Sequence, residues 1–464
     1  MSVFSSLETE MTKENELGTA PIGRTLFHLA LPTVAAQVIN MLYNVVDRVY
    51  IGHMEGVGSL ALTGVGVCLP LIMFISAFAC FVSAGSASRA SMFMGKGEKE
   101  KAEKILGGSF TLQIVISLVL TVVLELTQDP LLLAFGASSN TIGYASSYMR
   151  IYALGTVFVE LTLGLNAFIT AQGRTVVSML VVLTGAVLNI VLDPLFIYTF
   201  GMGVEGAAWA TVISQAASSL FCILYLTGKK TSLRLRGGNL TVPFSLLAPS
   251  FALGAASFVM QSTESLISVC FNSSLLKYGG DAAVGAMTIC SSVLQMAMLP
   301  IQGIAQGSQP LTSYNFGQGN RDRVKKCFRT LLIACSVYSV TVWALVELFP
   351  SAFASIFTTE SALVEYAVPV LRTYCLMLCL MGILISCQMT FVSTGVAAAS
   401  ISIAVIRKLV LLIPLIYIMP HIFTQDQALA VFMAEPIADF LAIAYTAIIF
   451  SVKFPKALRE MKIV

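Results

Sequence analysis

Two polar residues four positions apart, Asn189 and Asp193, stand in the otherwise apolar stretch 185–215. At this spacing they share one face of a helix. An ionisable group at membrane depth costs at least about 2.5–3.5 kcal/mol, so it usually faces a protein interior or a water-filled cavity. Pro194 follows directly and, because it has no N–H, leaves the carbonyl of Ile190 without its usual partner. This set suits a proton or a small cation, and an acid that caps or kinks a packed helix is the alternative.

A second acid ends a polar stripe in the first apolar run. The stripe consists of Thr33, Gln37, Asn40, Asn44 and Asp47. Its steps of four, three, four and three residues place it along one helix face. A corresponding stripe in the seventh run consists of Ser250, Gly254, Ser257, Gln261 and Glu264. Each stripe follows a proline and ends in amide-x-x-acid. From these two stripes we predict the residues that line a substrate cavity: Gln37, Asn40, Asn44, Gln261 and Glu264.

The composition indicates which elements hold these residues. The chain is 57% hydrophobic and 11% charged, with a mean hydropathy of +0.86, whereas a soluble domain has about 25% charged residues. About twelve apolar runs reach the ~20 residues that a membrane-spanning helix needs. We therefore predict an all-α integral membrane protein.

The distribution of basic residues predicts the orientation of the spans. The net charge of +3 is uninformative, but the basic residues concentrate in alternate connections and in the C-terminal segment. Membrane proteins keep such connections in the cytoplasm, so we expect a multi-pass protein with both termini cytoplasmic. Because the cytoplasmic orientation accounts for the basic loops, we do not interpret them as nucleic-acid binding sites.

A polar segment near the middle divides the chain into two similar halves. We predict a cytoplasmic tail over 1–23, six spans over 24–228, a cytoplasmic linker over 229–244, six spans over 245–452 and a second tail over 453–464. Residues 83–97 align without gaps to residues 305–319, with two serines and three glycines in common. Six spans per half give both halves the same orientation. The fold expected is therefore two pseudo-symmetric six-helix bundles around a central cavity.

Further polar residues lie in the fourth and sixth apolar runs. Tyr148 and Asn166 share a face of the fourth run because 18 residues make about five turns, and Glu160 lies about a third of a turn from them. Thr211 belongs to a polar face of the sixth run. Each alone is typical of hydrogen bonding between helices. Together they allow the first, fourth, fifth and sixth spans to converge on Asp47 and Asp193.

Charged residues also stand inside the last two spans. Arg407, with Lys408 beside it, lies in the eleventh, and Glu435 and Asp439 lie one turn apart in the twelfth. Unpaired charges at this depth are expensive, so we predict a structural ion pair, with a role in coupling as the alternative.

Other classes of site find little support. The ten cysteines form no CxxC pair and the three histidines show no ligand spacing, so we expect no metal site other than a possible Na⁺ at Asp47, Asn189 and Asp193. The glycines of 201–206 match GxGxxG, but an apolar helix precedes them where a dinucleotide site needs a strand. No nucleophile stands beside a base, so we do not expect an enzyme.

The chain resembles the multidrug and toxic compound extrusion (MATE) family, and within it the MepA-like bacterial exporters. The resemblance is carried by LALPTVAAQVINMLYNVVDRVYIG, AGSASRASMFMGKG, LNIVLDPLFIYTFGMGVEGAAWATVISQ and AEPIAD, in this order. It implies a monomeric antiporter in the bacterial cell membrane. Such a protein expels amphipathic, often cationic drugs in exchange for H⁺ or Na⁺ and uses no cofactor.

The resemblance also implies a cation site. It would use Asp47, Asn189 and Asp193, with Tyr148, Asn166 and Thr211 around them. Some relatives couple Na⁺ through an acid in the seventh span paired with one in the tenth. Glu264 fits the first, but 366–391 contains neither Asp nor Glu, so the N-terminal half is favoured. The rival function is a flippase for lipid-linked saccharides, which needs cavity cations to hold phosphate. Arg372 and Arg407 are the residues that could supply them.

Overall fold

The computed structural model describes residues 14–357 and 361–461, and within these ranges it contains helices and turns but no strand. Eleven of the helices in these ranges are long and apolar enough to cross a membrane. A bent pair, Ile142–Leu154 and Thr156–Ala171 with 56° between them, supplies a twelfth span if it counts as one. This confirms the prediction of an all-α membrane protein with about twelve spans. Residues 1–13 of the tail predicted over 1–23 and residues 462–464 of the second predicted tail lie outside the described residues.

The helices of the N-terminal half are α1 (Glu14–Thr19), α2 (Ile22–Gly52), α3 (Gly58–Gly95), α4 (Lys99–Ala134), α5 (Ile142–Leu154), α6 (Thr156–Ala171), α7 (Thr175–Pro194) and α8 (Gly203–Thr227). Those of the C-terminal half are α9 (Phe244–Gly280), α10 (Ala282–Gly317), α11 (Arg321–Leu348), α12 (Pro350–Ser355), α13 (Ser361–Tyr374), α14 (Met381–Ser393), α15 (Ala397–Val405), α16 (Ile413–Ile422), α17 (Gln427–Phe432) and α18 (Ala434–Glu460). The basic connections follow α3, α6, α8, α10 and α18. We call the end of the spans that they join the basic side, which the sequence predicts to be cytoplasmic.

Two breaks in regular helix shape the N-terminal half. The bend between α5 and α6 lies at Gly155, where an added Cβ would come within 2.4 Å of the Val212 side chain, so only glycine allows α8 this close. Beyond Pro194, α7 continues as one π-helical turn, Leu195–Thr199. Such wide turns are frequent at functional sites.

The chain divides into two compact units, whose limits lie inside helices. The first unit contains α1 and Ala35–Gly254, and the second contains Ala20–Val34 and the chain from Ala255 onward. The start of α9 therefore packs within the first unit, where a Cβ on Gly85 would meet the Ser250 carbonyl at 1.9 Å. The start of α2 packs within the second unit, where a Cβ on Gly307 would come within 2.6 Å of the Ala30 backbone. The two glycines occupy equivalent positions in the repeat, so the same close helix contact occurs once in each unit.

The polar linker after α8 is held against the first unit. The Gln172 Oε1 atom accepts hydrogen bonds from the Thr231 hydroxyl at 2.8 Å and from the backbone N–H groups of Ser232 and Leu233 at 2.9 Å. A Glu103 oxygen accepts from the Arg234 backbone N–H, and the other oxygen pairs with Arg236 at 3.2 Å. The linker is therefore an ordered strap on the basic side of this unit.

Candidate cation site and comparison with known proteins

The acid and the amide of α7 meet as their spacing predicts. Asn189 and Asp193 are both buried, and the Asn189 amide donates to Asp193 Oδ1 at 3.2 Å. The same amide lies 3.4 Å from the Thr211 hydroxyl on α8. The Asn189–Asp193 contact lies within α7, because residues four positions apart share one helix face, and Thr211 adds the contribution of α8.

Asp47 of α2 joins this group. Its side chain is buried and interacts electrostatically with Asp193 and with the Tyr148 hydroxyl. Tyr148 is buried, stacks on Tyr152 with ring centroids 6.1 Å apart, and its hydroxyl interacts with the Thr211 side chain. The structure therefore brings together residues of four spans, α2, α5, α7 and α8.

Several oxygens of this group have no hydrogen-bond partner among the described residues. They are Asp47 Oδ1, Asn189 Oδ1 and Asp193 Oδ2. Arg48, the residue after Asp47, is exposed, and neither acid forms an ion pair in the described part of the chain. Carboxylate and amide oxygens are the ligands of hard cations, and a carboxylate is the simplest proton carrier. The group thus has the chemistry for one monovalent cation or for protons.

Asn166 is the predicted site residue with the weakest link to this group. Its Oδ1 atom is buried without a hydrogen-bond partner in the described structure. It lies on α6, beyond the bend at Gly155, whereas Tyr148 lies on α5 before it. The sequence treats the fourth span as one straight helix, and the bend changes the face that the two residues present.

The cavity candidates differ from one another in exposure. Asn40 and Asn44 are exposed, and the Asn44 amide donates to the Asn40 carbonyl at 2.6 Å. Gln37 and Gln261 are half-buried. Glu264 keeps 51% of its side chain exposed and forms an ion pair with Lys408 at 3.0 Å.

The charged residues of the last two spans form a compact cluster in the second unit. Arg407 Nε lies 2.7 Å from Asp439 Oδ1, and its guanidinium lies 3.7 Å from Glu435. Arg407 and Lys408 belong to a π-helical stretch, Ile406–Leu412, which follows α15. Three acids and two cations are therefore gathered here, and the arginine holds two of the acids.

Sequence reasoning missed two features of the polar interior. It did not predict the ion pair between Lys408 and Glu264, because a contact between the seventh and eleventh spans does not show in the residue spacing within either span. It also gave Glu160 no role, although both oxygens of this fully buried carboxyl lack a partner in the described residues. A glutamate in the middle of an apolar run was the signal available for the second.

Among the described residues, no group of three or more His, Cys, Asp or Glu side chains is arranged to hold a metal ion. The acids of the first unit come as a pair with amide and hydroxyl neighbours. This arrangement differs from the closed ligand sets of structural metal sites.

Comparison with known proteins gives the family. The MatE family model matches residues 32–195 and again 255–418, once in each half. The multidrug export protein MepA of Staphylococcus haemolyticus is 25% identical over 427 residues, which are 91% of this chain and 92% of that protein. MepA of a bovine Staphylococcus aureus strain is 26% identical over 404 residues, 87% and 88% of the two chains.

A solved structure shows the same fold. The crystal structure of MATE in the straight conformation superposes with a TM-score of 0.89 at 24% identity, over 97% of this chain and all of that one. The family model covers most of the chain and repeats at the internal repeat that the sequence predicts. The chain therefore belongs to the MatE family, the multidrug and toxic compound extrusion (MATE) transporters.

Proposed function

We propose that this protein is an efflux antiporter that exports amphipathic, often cationic small molecules in exchange for H⁺ or Na⁺. Relatives named multidrug export protein MepA support the substrate class. The protein would act as a monomer in a bacterial cell membrane, with both termini in the cytoplasm and no cofactor other than the coupling ion. The relatives are transporters, which supports the proposal that this chain transports its substrates without changing them chemically.

The observation that carries the proposal is the acid pair of the first unit. Asp47 and Asp193 are buried, interact with each other and form no ion pair in the described structure. Two ionised carboxylates this close repel each other, and at membrane depth each is costly. A mobile cation or proton removes this cost when it binds. The acid pair is therefore stabilised when an ion binds and destabilised when the ion leaves.

Coupling follows if the loaded and empty sites favour different conformations. An ion shifts such an equilibrium only by its differential affinity for the two states. Neutralising the acid pair allows α2 and α7 to pack closely. Releasing the ion restores the repulsion and favours the state that accepts a drug. Pro32 and Pro194 are the points at which these two helices can bend.

The flippase alternative receives no support from the arginines that it requires. Arg372 is bonded to Glu347, with its guanidinium 3.2 Å from the Glu347 carbonyl and 3.7 Å from the carboxylate. Arg407 is held by Glu435 and Asp439. Both guanidinium groups already have anionic partners, so neither is free to bind a phosphate.

The decisive experiment measures transport of a fluorescent organic cation by the purified protein in proteoliposomes. A proton gradient and a sodium gradient are imposed separately, which identifies the coupling ion. Asp47→Asn and Asp193→Asn keep the size of each side chain and remove its charge, so each variant should lose at least about 90% of gradient-driven transport.

Asp129→Asn is the matched control. Asp129 lies in the same unit but is exposed and accepts a hydrogen bond from the Ser146 hydroxyl at 2.6 Å. This variant should transport at the wild-type rate. Full activity in both Asp47→Asn and Asp193→Asn would sink the assignment of the site.

A further inference from the structure

Glu160 is a buried acid that the cation site does not use. It lies in the first turns of α6, its side chain is 0% exposed, and neither carboxyl oxygen has a hydrogen-bond partner in the described residues. An ionised carboxylate without a partner in such surroundings is far costlier than a neutral one. Glu160 is thus a second proton-binding group in the first unit.

Two tyrosines connect Glu160 with the acid pair. Tyr152, on the other side of the bend, interacts electrostatically with both Glu160 and Tyr43. Tyr43 of α2 interacts in turn with Asp47 and Asp193. Each hydroxyl can accept a proton on one side and donate its own on the other.

A row of unpartnered polar groups continues from Glu160 towards the basic side along α4. Gly164 lies one turn after Glu160, and a Cβ there would come within 1.7 Å of the Gln113 amide nitrogen. The Gln113 amide therefore lies directly on the α6 backbone. It is 0% exposed, and both of its polar atoms lack a partner in the described structure. Ser109, one turn nearer the basic side, has a buried hydroxyl in the same situation.

A second row runs along α3. The Glu160 carboxyl lies beside the backbone of Ala79. Ser86 follows seven residues later, two turns nearer the basic side on the same helix face. Its hydroxyl is also fully buried and, within the described chain, has no partner. Glu160, Gln113, Ser109 and Ser86 together form what we call the polar column.

Such a column is costly unless water fills it. Each buried polar group without a partner costs about 1–3 kcal/mol. Proteins normally satisfy such groups with ordered water that makes two to four hydrogen bonds. The groups here lie on three helices that pack together, α3, α4 and α6, and they lead from the acid pair to the basic side. A line of internal water is the arrangement that satisfies them all.

We propose that Glu160 and the polar column form a proton path from the acid pair to the basic side. The inference rests on the proposed antiport and commits its coupling ion to the proton. Glu160 carries a proton at rest, and its O–H bond breaks as it gives this proton to water in the column, so that the charge leaves as hydronium on the basic side. An O–H bond of the Asp47–Asp193 pair then breaks and the O–H bond of Glu160 forms again, through the tyrosine hydroxyls and water. No oxidation or reduction takes place.

The path has a functional consequence. The acid pair can release its protons to the basic side within the first unit, so proton release does not have to share a route with the drug. The titratable group that faces Glu160 is Tyr152, while α3 presents the Ala79 backbone and α4 presents the neutral amide of Gln113. Glu160 is accordingly a proton-relay residue and not part of the drug site.

The test uses Glu160→Gln in the full chain, in proteoliposomes. Transport driven by a proton gradient should fall at least tenfold, because net proton movement requires the relay. Exchange of labelled for unlabelled fluorescent cation across the membrane involves no net proton movement and should remain within about twofold of wild type. Glu205→Gln changes an exposed glutamate of the same unit, on α8, and should leave both rates unchanged.

Further variants keep the test decisive if Glu160→Gln does not fold. Glu160→Asp retains a carboxyl and should transport better than Glu160→Gln, whereas Gln113→Leu interrupts the column and should slow only the gradient-driven reaction. A wild-type gradient-driven rate in Glu160→Gln overturns the proposal. An equal loss of exchange and gradient-driven transport in that variant overturns it as well.

An infrared measurement separates this proposal from the antiporter assignment. Glu160→Gln should remove a C=O stretching band of a protonated carboxyl from the spectrum of the resting protein, and Glu205→Gln, at an exposed glutamate, should not. If no such band is lost, the relay is wrong even when Asp47→Asn and Asp193→Asn abolish transport. If those two variants transport normally, the antiporter site fails, whatever the Glu160 band shows.

Discussion

The two units differ in how the charges of their acids are balanced. In the first unit, Asp47, Asp193 and Glu160 have amide, hydroxyl and backbone neighbours and form no ion pair within the described residues. In the second unit, three acids surround two buried cations that belong to the chain itself. They are Glu264, Glu435 and Asp439, around Arg407 and Lys408.

This difference indicates which unit can exchange an ion with solution. Acids without an ion-pair partner gain from a cation that binds and leaves, so their charge state can change during a transport cycle. Acids that hold an arginine and a lysine already have their counter-charges. Similar halves, related by an internal repeat, have therefore become a candidate switch in one unit and a fixed ion cluster in the other.

The most direct test of this difference between the units is to give the first unit a cation of its own. Asn189→Lys places an ammonium group one helical turn from Asp193, where it can pair with the acid as Lys408 pairs with Glu264. Gradient-driven transport should fall to the background of empty liposomes, because the lysine occupies the position of the mobile ion. Asn189→Gln adds a methylene without charge and should retain more transport. If Asn189→Lys transports at the wild-type rate, the acid pair is not the coupling site.

The ion cluster of the second unit should respond in stability. Arg407→Met leaves Glu435 and Asp439 buried without their cation, and breaking a buried pair from one side costs about 3–5 kcal/mol. Thermal unfolding in detergent should show a large fall in midpoint. Adding Glu435→Gln and Asp439→Asn to Arg407→Met removes the uncompensated charges and should recover most of the loss. A midpoint unchanged by Arg407→Met would mean that the cluster contributes nothing to stability.

Much of this arrangement could be predicted from the sequence because it depends on spacing within single helices. Asn189 and Asp193 meet because they are four residues apart, and Glu435 and Asp439 share a face for the same reason. The apolar runs predict the spans, because a bilayer admits few other structures. These are local consequences of a period of 3.6 residues.

The features that sequence could not predict depend on contacts between distant segments or on irregular backbone. Glu264 and Lys408 are 144 positions apart along the chain, and the π-helical stretch that carries Lys408 has no signature in the apolar pattern. The bend at Gly155 changes which faces Tyr148 and Asn166 present. The strap over 231–236 depends on Gln172, whose amide oxygen could equally have faced water.

The Lys408–Glu264 pair predicts an asymmetry between its two removals. Lys408 keeps only 6% of its side chain exposed, while Glu264 keeps 51%. Glu264→Gln therefore leaves the buried ammonium group of Lys408 without its acid. Lys408→Met leaves the Glu264 carboxylate without its cation, but this carboxylate is half exposed. Glu264→Gln should lower the unfolding midpoint more than Lys408→Met does. The reverse order would mean that Glu264, not Lys408, is the costly member of the pair.

The smallest effect should come from the rim of the cation site. The Thr211 hydroxyl lies 3.4 Å from the Asn189 amide, a long hydrogen bond whose net contribution is at most about 0.5–1.5 kcal/mol. Thr211→Val keeps the shape of the side chain and removes the hydroxyl, so gradient-driven transport should fall by a few-fold. Thr211→Ser retains the hydroxyl and should transport at nearly the wild-type rate. The acids carry the charge, and the Thr211 hydroxyl only orients the Asn189 amide beside them. A complete loss of transport in Thr211→Val would therefore contradict this peripheral role and mean that Thr211 contacts the ion directly.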